Sequence, residues 1–100
     1  MSGIPVRFHP DAVEEAEAAV DWYAKRSRRV ANRFLLELEG ALGAICEAPG
    51  RWPFFDGPAR RILFRRFPYV LIYRACEDRI EVLAVAHGRR RPGYWKNRTD

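Results

Sequence analysis

Cysteine is scarce in this chain: Cys46 and Cys76 are the only two. They make no disulfide framework and have no partner at metal-ligand spacing, so the fold must rest on an ordinary apolar core. Histidine is equally scarce, with only His9 and His87. The sequence contains no glycine-rich phosphate loop, no H-E-x-x-H, no Cys-x-x-Cys and no G-x-S-x-G. These absences remove the common signatures of nucleotide hydrolases, zinc proteases and serine esterases. Neither a metal nor a cofactor is expected. Long apolar runs are missing too. The longest, Tyr69–Tyr73 and Leu83–Ala86, are strand-sized and far short of the ~20 residues a membrane helix needs. The opening Met1-Ser2-Gly3-Ile4-Pro5 has no basic stretch followed by an apolar one, so no secretory leader is expected. The expectation is a cytoplasmic protein with reduced thiols and no membrane contact.

What is present suits one globular domain spanning residues 1–100. Apolar residues make up 48% of the 100 positions, with seven Gly and seven Pro, enough for a single core with little stability to spare. The net charge of +5 is unevenly spread. Residues 1–56 carry seven Lys/Arg against nine Asp/Glu, a balance of −2, whereas residues 57–100 carry eleven against four, a balance of +7. A basic half attracts a polyanion or an acidic protein at long range, although arginines also serve as plain solvated surface.

Periodicity gives the elements. Ile4, Val6 and Phe8 alternate with Pro5 and Arg7, a half-buried strand that Pro5 confines to an edge or to pairing from Val6 onward. His9-Pro10-Asp11 starts a helix, with Pro10 at the first helical position and Asp11, Glu14 and Glu15 near its positive end. Val13, Ala16, Val20 and Tyr23 form its apolar stripe. Ser27 caps a second helix that carries Val30, Phe34, Leu38, Leu42 and Ile45 on one face and stops at Pro49-Gly50. Cys46 falls on that helix as a small core residue. Arg51–Pro58, with Trp52, Phe54 and Phe55, reads as an ordered loop. Strands follow at about Arg60–Arg66, Tyr69–Ala75 and Arg79–His87, the last placing Ile80, Val82, Ala84 and Ala86 opposite Leu83, Val85 and His87. The order is β-α-α-β-β-β, an α+β fold with an antiparallel sheet and a two-helix hairpin packed on one face. The other face, of opposite parity and rich in Arg, needs no cover from this chain and offers a docking surface.

The residues able to carry chemistry gather late in the chain. Arg60, Arg61, Arg65, Arg66 and Arg74 decorate the first two meander strands. His87, Arg89, Arg90, Arg91, Tyr94, Trp95, Lys96 and Arg98 close the sequence. Guanidinium groups fork onto phosphates and carboxylates and aromatics stack on bases, so the mixture suits RNA and an acidic protein equally. Tyr94 and Trp95 either fold back to cap the core or stay free. His87, at a strand end, is either a proton carrier near neutral pH or a hydrogen-bonded structural residue.

The element order, the stretch Phe67-Pro68-Tyr69-Val70-Leu71-Ile72-Tyr73-Arg74 and the stretch Ile80-Glu81-Val82-Leu83-Ala84-Val85-Ala86-His87-Gly88-Arg89-Arg90 together resemble the RelE/ParE toxin superfamily. Trp22-Tyr23 and the Leu38–Pro49 segment with its Ala-Pro end fit the same pattern, so the likeness covers residues 4–95. The resemblance implies a growth-inhibiting toxin of a type II toxin–antitoxin system, associated with plasmid stabilisation. It further implies a cognate antitoxin that wraps the toxin in a hetero-oligomer. RelE-like members cut messenger RNA on the ribosome; ParE-like members poison DNA gyrase. For RNA cleavage the resemblance assigns Arg61 and Arg65 to basic strand positions, and Arg89 or Arg90 with Tyr94, beside His87, to the C-terminal group. The basic residue that RelE-like nucleases carry just after the central-strand tyrosine falls on Val70, and an apolar side chain cannot hold a phosphate. The Phe-Pro-Tyr entry to that strand is also more ParE-like. The expectation is therefore a non-hydrolytic ParE-like toxin that binds its target through Arg61, Arg65, Arg89, Arg91 and Trp95. Two other readings stand beside it: a RelE-like endoribonuclease using His87, Arg90 and Tyr94, and a non-toxic nucleic-acid-binding module.

Overall fold

The structure, a computed structural model, describes residues 4–99. Met1–Gly3, on which part of the leader reading rests, and Asp100, the last residue of the single domain expected over 1–100, lie outside the described residues. The chain forms β1 (Val6–Phe8), α1 (Pro10–Ala24), α2 (Arg28–Glu47), β2 (Phe54–Asp56), β3 (Ala59–Leu63), β4 (Tyr69–Ala75) and β5 (Ile80–His87), and ends in a 3-10 turn, Lys96–Arg98. Both helices start on the expected caps. Pro10 opens α1 after His9, whose Nδ1 accepts from the Asp11 amide, and Ser27 accepts from Val30 at the head of α2. The α+β class and the helix pair covering one sheet face are as the sequence predicts.

The sheet itself differs in detail. It has five strands in the order β1-β5-β4-β3-β2. The extra strand, β2, lies in the segment read as a loop and pairs Phe54 and Asp56 with Arg60 and Ala59. The sheet is mixed, not wholly antiparallel: β3, β4 and β5 form the expected meander, while β1 runs parallel to β5. After the helical hairpin β2 enters the sheet opposite in direction to β1, and the three reversals from β2 to β5 leave β5 pointing the same way as β1. Pro5 has no amide hydrogen, but its carbonyl accepts from Ile80, and His9 donates to Val82. β3 stops at Leu63 and not at Arg66, because Glu37 of α2 takes the Arg65 and Arg66 amides at 2.9 and 3.1 Å in place of a strand partner.

Two faces carry two cores. Under the helices, Phe34, Leu38, Ile45, Leu71, Tyr73, Ile80, Val82 and Val85 are buried. Phe34 meets the rings of Tyr23, Phe64, Phe67 and Tyr69 at 5.1–5.7 Å. The stripe of α1 is rotated from the one periodicity gives: Ala12 and Ala19 are buried and Val13 is 39% exposed, since small side chains bring the helix close to the sheet. On the second face lie Ala59, Ile72, Leu83, Ala84, Ala86 and Trp95. A bulge explains the exchange of parity in β5. The register passes from Tyr73–Val82 to Ile72–Ala84, so Leu83 is the extra residue and shares a face with Ala84. From there on Val85, and not Ala84, faces the helices, which corrects the strict alternation expected for that strand.

Candidate functional site

The second face is not left open. After β5 the chain turns at Gly88, then at Gly93, where φ is +78°, a conformation that favours glycine. It then folds back over the sheet. Trp95 is only 4% exposed and sits on the alanine floor beside Phe55, with ring centroids 5.8 Å apart. Lys96 reaches Asp56 of β2 at 3.3 Å. Of the two readings left open for Tyr94 and Trp95, the structure has the one in which both pack back onto the sheet.

Between this tail, β2 and the ends of β3 and β4 lies a cleft of about 490 Å³. Its floor is apolar, with Val70, Ile72 and Ala86, and Trp95 and Phe55 form walls. Arg61, Arg90 and Arg91 stand on the rim, and His87 lines one end. A second cavity of about 470 Å³ on the helix side is lined by Trp22, Tyr23, Tyr69, Val85, His87 and Arg90. His87 and Arg90 therefore border both. Of the eight site candidates, the structure gathers Arg61, His87, Arg90, Arg91 and Trp95 around the first cleft. Tyr94 packs behind its tail wall. Arg65 lines a different groove, between α2 and β3, and Arg89 lines neither cleft.

The arginines divide sharply by partner. Arg74 and Arg79 converge on Glu81, at 2.7 and 2.8 Å. Burial works against the Glu81 charge, but these two hydrogen bonds outweigh it and hold the carboxyl below its ordinary range. Arg60 turns inward to the Trp52 carbonyl and lies over the Phe54 ring. Arg61 lies 4.7 Å over the Phe55 ring with no acidic partner, and among the described residues Arg65, Arg66, Arg89 and Arg91 likewise form no ion pair. Those guanidinium groups are available for an outside anion.

Sequence reasoning missed Glu15. Its side chain is 14% exposed, and it accepts from the Val85 amide at 2.9 Å, the Tyr94 hydroxyl at 2.8 Å and Arg98 Nη2 at 2.9 Å. Arg98 also donates to the Leu83 carbonyl at 3.0 Å. Glu15 and Arg98 thus satisfy the outer edge of β5 where β1 has ended and the bulge begins. Arg90 and Arg98 both lie over the Tyr94 ring, at 3.8 and 5.0 Å from its centroid. Burial, then the bond to Glu15, push the Tyr94 phenol well above its usual value. A signal for Glu15 does exist: it shares the α1 stripe with Ala12 and Ala19, three and four residues away, as a charge on a small-residue face. His87 uses Nδ1 to accept from the Arg89 amide at 3.0 Å and lies 5.1 Å from the Tyr69 ring. Among the described residues no group of three His, Cys, Asp or Glu gathers as metal ligands, and no helix is long and apolar enough to cross a membrane.

No curated protein sequence matches this chain. Among solved structures, a chain described as the chromosomal ParDE TA system from P. aeruginosa superposes with a TM-score of 0.72 at 14% identity, covering 84% of this chain and 95% of that one. At that identity the likeness concerns the fold. A family model described as the ParE toxin of the type II toxin–antitoxin system, parDE, matches residues 6–92. That span runs from β1 through β5 into the basic turn, and on it the chain belongs to the ParE toxin family.

Proposed function

We propose that this chain inhibits DNA gyrase by binding, without cutting nucleic acid, and that a cognate antitoxin neutralises it in a cytoplasmic hetero-oligomer. The observation that carries the reading is the state of Tyr94. A nuclease built on this fold needs a free donor for the leaving oxygen, and the Tyr94 hydroxyl is already given to Glu15 at 2.8 Å while Arg90 stacks on its ring. Val70, at the position where RelE-like nucleases carry a base, forms part of an apolar cleft floor. What remains is a cationic rim, Arg61, Arg90 and Arg91, around an apolar floor, and that combination suits a protein surface with acidic groups around an apolar anchor. Arg65 and Arg89 lie apart from that cleft and extend the basic surface. The P. aeruginosa structure is of a ParDE pair, which supports a partner antitoxin here. Exposed Leu36 and Leu63, each 66% accessible, are surface such a partner would cover.

Purified toxin added to gyrase and relaxed plasmid is expected to stop supercoiling, with an acidic antitoxin relieving the block. Unaffected supercoiling at large toxin excess would remove the reading. The endoribonuclease alternative keeps one supporting observation, the placing of His87 and Arg90 on both clefts. It predicts messenger cleavage in a translating extract that Arg90→Ala and Tyr94→Phe abolish. Salt-sensitive nucleic-acid binding with no growth arrest on induction would favour the plain binding module instead.

A further inference from the structure

We infer that Glu15 is the positioning residue of the inhibitory surface: it holds the basic turn in place without touching the target. This rests on the reading of the cleft rim as the target-binding surface.

The turn that carries Arg90 and Arg91 has little of its own to fix it. Beyond Gly88, whose amide donates to the Pro68 carbonyl, its backbone bonds are local, from Arg90 to His87, Tyr94 to Arg91, Lys96 to Gly93 and Arg98 to Trp95. Local turns of this kind close and open readily unless a distant element holds them. Trp95 provides one anchor, in the alanine floor. Lys96 on Asp56 and Arg98 on the Leu83 carbonyl add one link each; Glu15 adds three, and its reach is long: it ties residue 15 to Val85, Tyr94 and Arg98, across sequence separations of 70, 79 and 83. Through Tyr94 it also sets Arg90, whose guanidinium stacks on that ring at 3.8 Å and comes within 3.9 Å of the Glu15 carboxylate. Arg90 is a rim residue of the cleft. One carboxylate on α1 therefore orders a stack of Arg90, Tyr94 and Arg98, and the stack determines where the rim charge points.

The charge on Glu15 is what the arrangement needs. Arg98 has a side chain only 10% exposed, and a neutral amide in place of the carboxylate would leave that guanidinium with the more distant Asp11, at 3.8 Å, as its acidic partner. In Glu15→Gln the amide oxygen can still accept from Val85, but its NH2 meets Arg98, a donor with no acceptor, and keeps Tyr94 only if that hydroxyl turns round to accept. The sheet edge stays served while the tail loses its hold.

The test compares Glu15→Gln with the wild type and with Glu17→Gln, an exposed position on the same helix. Hydrogen exchange and supercoiling inhibition are read on the same full-length protein. The expected result is faster exchange of the Tyr94, Lys96 and Arg98 amides and weaker inhibition, each by about tenfold to a hundredfold, the range that a lost bond to a charged group corresponds to. Core amides of β4 should keep their protection, and Glu17→Gln should match the wild type. Tail release with inhibition unchanged would overturn the proposal, as would lost inhibition with the tail still protected. Loss of protection throughout the core would reduce Glu15 to a stabilising residue and overturn it as well. Tyr94→Phe, which deletes one hydroxyl only, is a second and milder variant; it should loosen the tail and weaken inhibition in the same sense, by less, and a loosened tail with full inhibition would likewise overturn the proposal. If the wild type leaves supercoiling untouched, the gyrase reading fails by itself. The positioning role is then read on growth arrest after induction, which Glu15→Gln should relieve in step with tail exchange, and arrest undiminished despite a released tail would sink it.

Discussion

The two faces of the sheet are both buried, yet they are built on different principles. Under the helices, aromatics and large aliphatics interlock, with Phe34 at the centre of four other rings. On the far face the floor mixes three alanines, Ala59, Ala84 and Ala86, with Ile72 and Leu83, and the cover is Trp95, with Tyr94 packed beside it, from an irregular tail. The first core joins elements that depend on each other, so its loss is the loss of the fold. The second joins the sheet to a tail that adds no strand or helix layer to it. A segment held by few buried apolar contacts opens at lower cost than one locked into a dense core, so the tail is the part expected to detach first.

Paired truncations bear on that contrast most directly. Phe34→Ala should cost about 3–5 kcal/mol, the range for emptying a buried aromatic site. In a domain of this size that is a large part of the total, and a thermal melt should move down by more than ten degrees, at roughly 4–8 °C per kcal/mol. Trp95→Ala, at a site as well buried, should cost less, about 1–3 kcal/mol, because detachment of the tail sets a ceiling on the loss. Equal costs for the two would mean that the tail and the sheet unfold as one unit.

How far each face was legible follows from the same difference. The helices, their caps and the meander came from periods of 3.6 and 2, and Phe34, Leu38 and Ile45 lie where those periods put them. The rotation of α1 toward Ala12 and Ala19 was hidden because alanine carries little hydrophobic signal, although it permits the closest packing. β2 is three residues long with two of them exposed, too short for any period to show. The Leu83 bulge is a matter of register between two strands, and no property of either strand alone reports it. The cleft was legible as a list of residues, Arg61, His87, Arg90, Arg91 and Trp95, but not as a place. Their meeting depends on Gly93, on the alanine floor and on Glu15, which reach the tail from distant parts of the chain. Arg65 and Arg89 share composition with that group but not its position.

Titration separates the two faces more finely. On the tail face the Glu81 carboxyl is lowered by Arg74 and Arg79. A lowered folded value means that this stabilisation is complete above the ordinary 4.5 and is lost as pH falls through the folded value. Glu81→Gln should therefore flatten the acid limb of a stability–pH curve. At the other end all four tyrosines are raised by burial, Tyr23, Tyr69 and Tyr73 on the helix side and Tyr94 on the tail. A raised folded value preserves stability below about 10 and removes it as pH climbs above. Tyr94→Phe should shift the alkaline release of the tail, read by exchange, while leaving alkaline unfolding of the helix face to the other three.

The smallest effect on stability falls on Arg61, next to a residue whose loss costs more. Arg60 and Arg61 are adjacent on β3 and so point to opposite faces. Arg60 turns to the Trp52 carbonyl and pins the segment before β2; Arg60→Ala should cost about 1–3 kcal/mol, as for a partly buried acceptor left without its donor. Arg61 stands on the cleft rim over Phe55 with no ion pair among the described residues, so Arg61→Ala should stay within about 0.5 kcal/mol of wild type, and so should Arg91→Ala. Supercoiling inhibition should respond in the reverse order. A rim charge acts on encounter and on electrostatic fit to an acidic surface, so loss of both Arg61 and Arg91 should weaken inhibition about tenfold and flatten its dependence on salt. Arg60→Ala should inhibit normally below its melting temperature. If Arg61→Ala instead destabilised the chain as much as Arg60→Ala while inhibition held, the rim arginines would belong to the architecture, and the far face would be a second core with no surface set aside for a target.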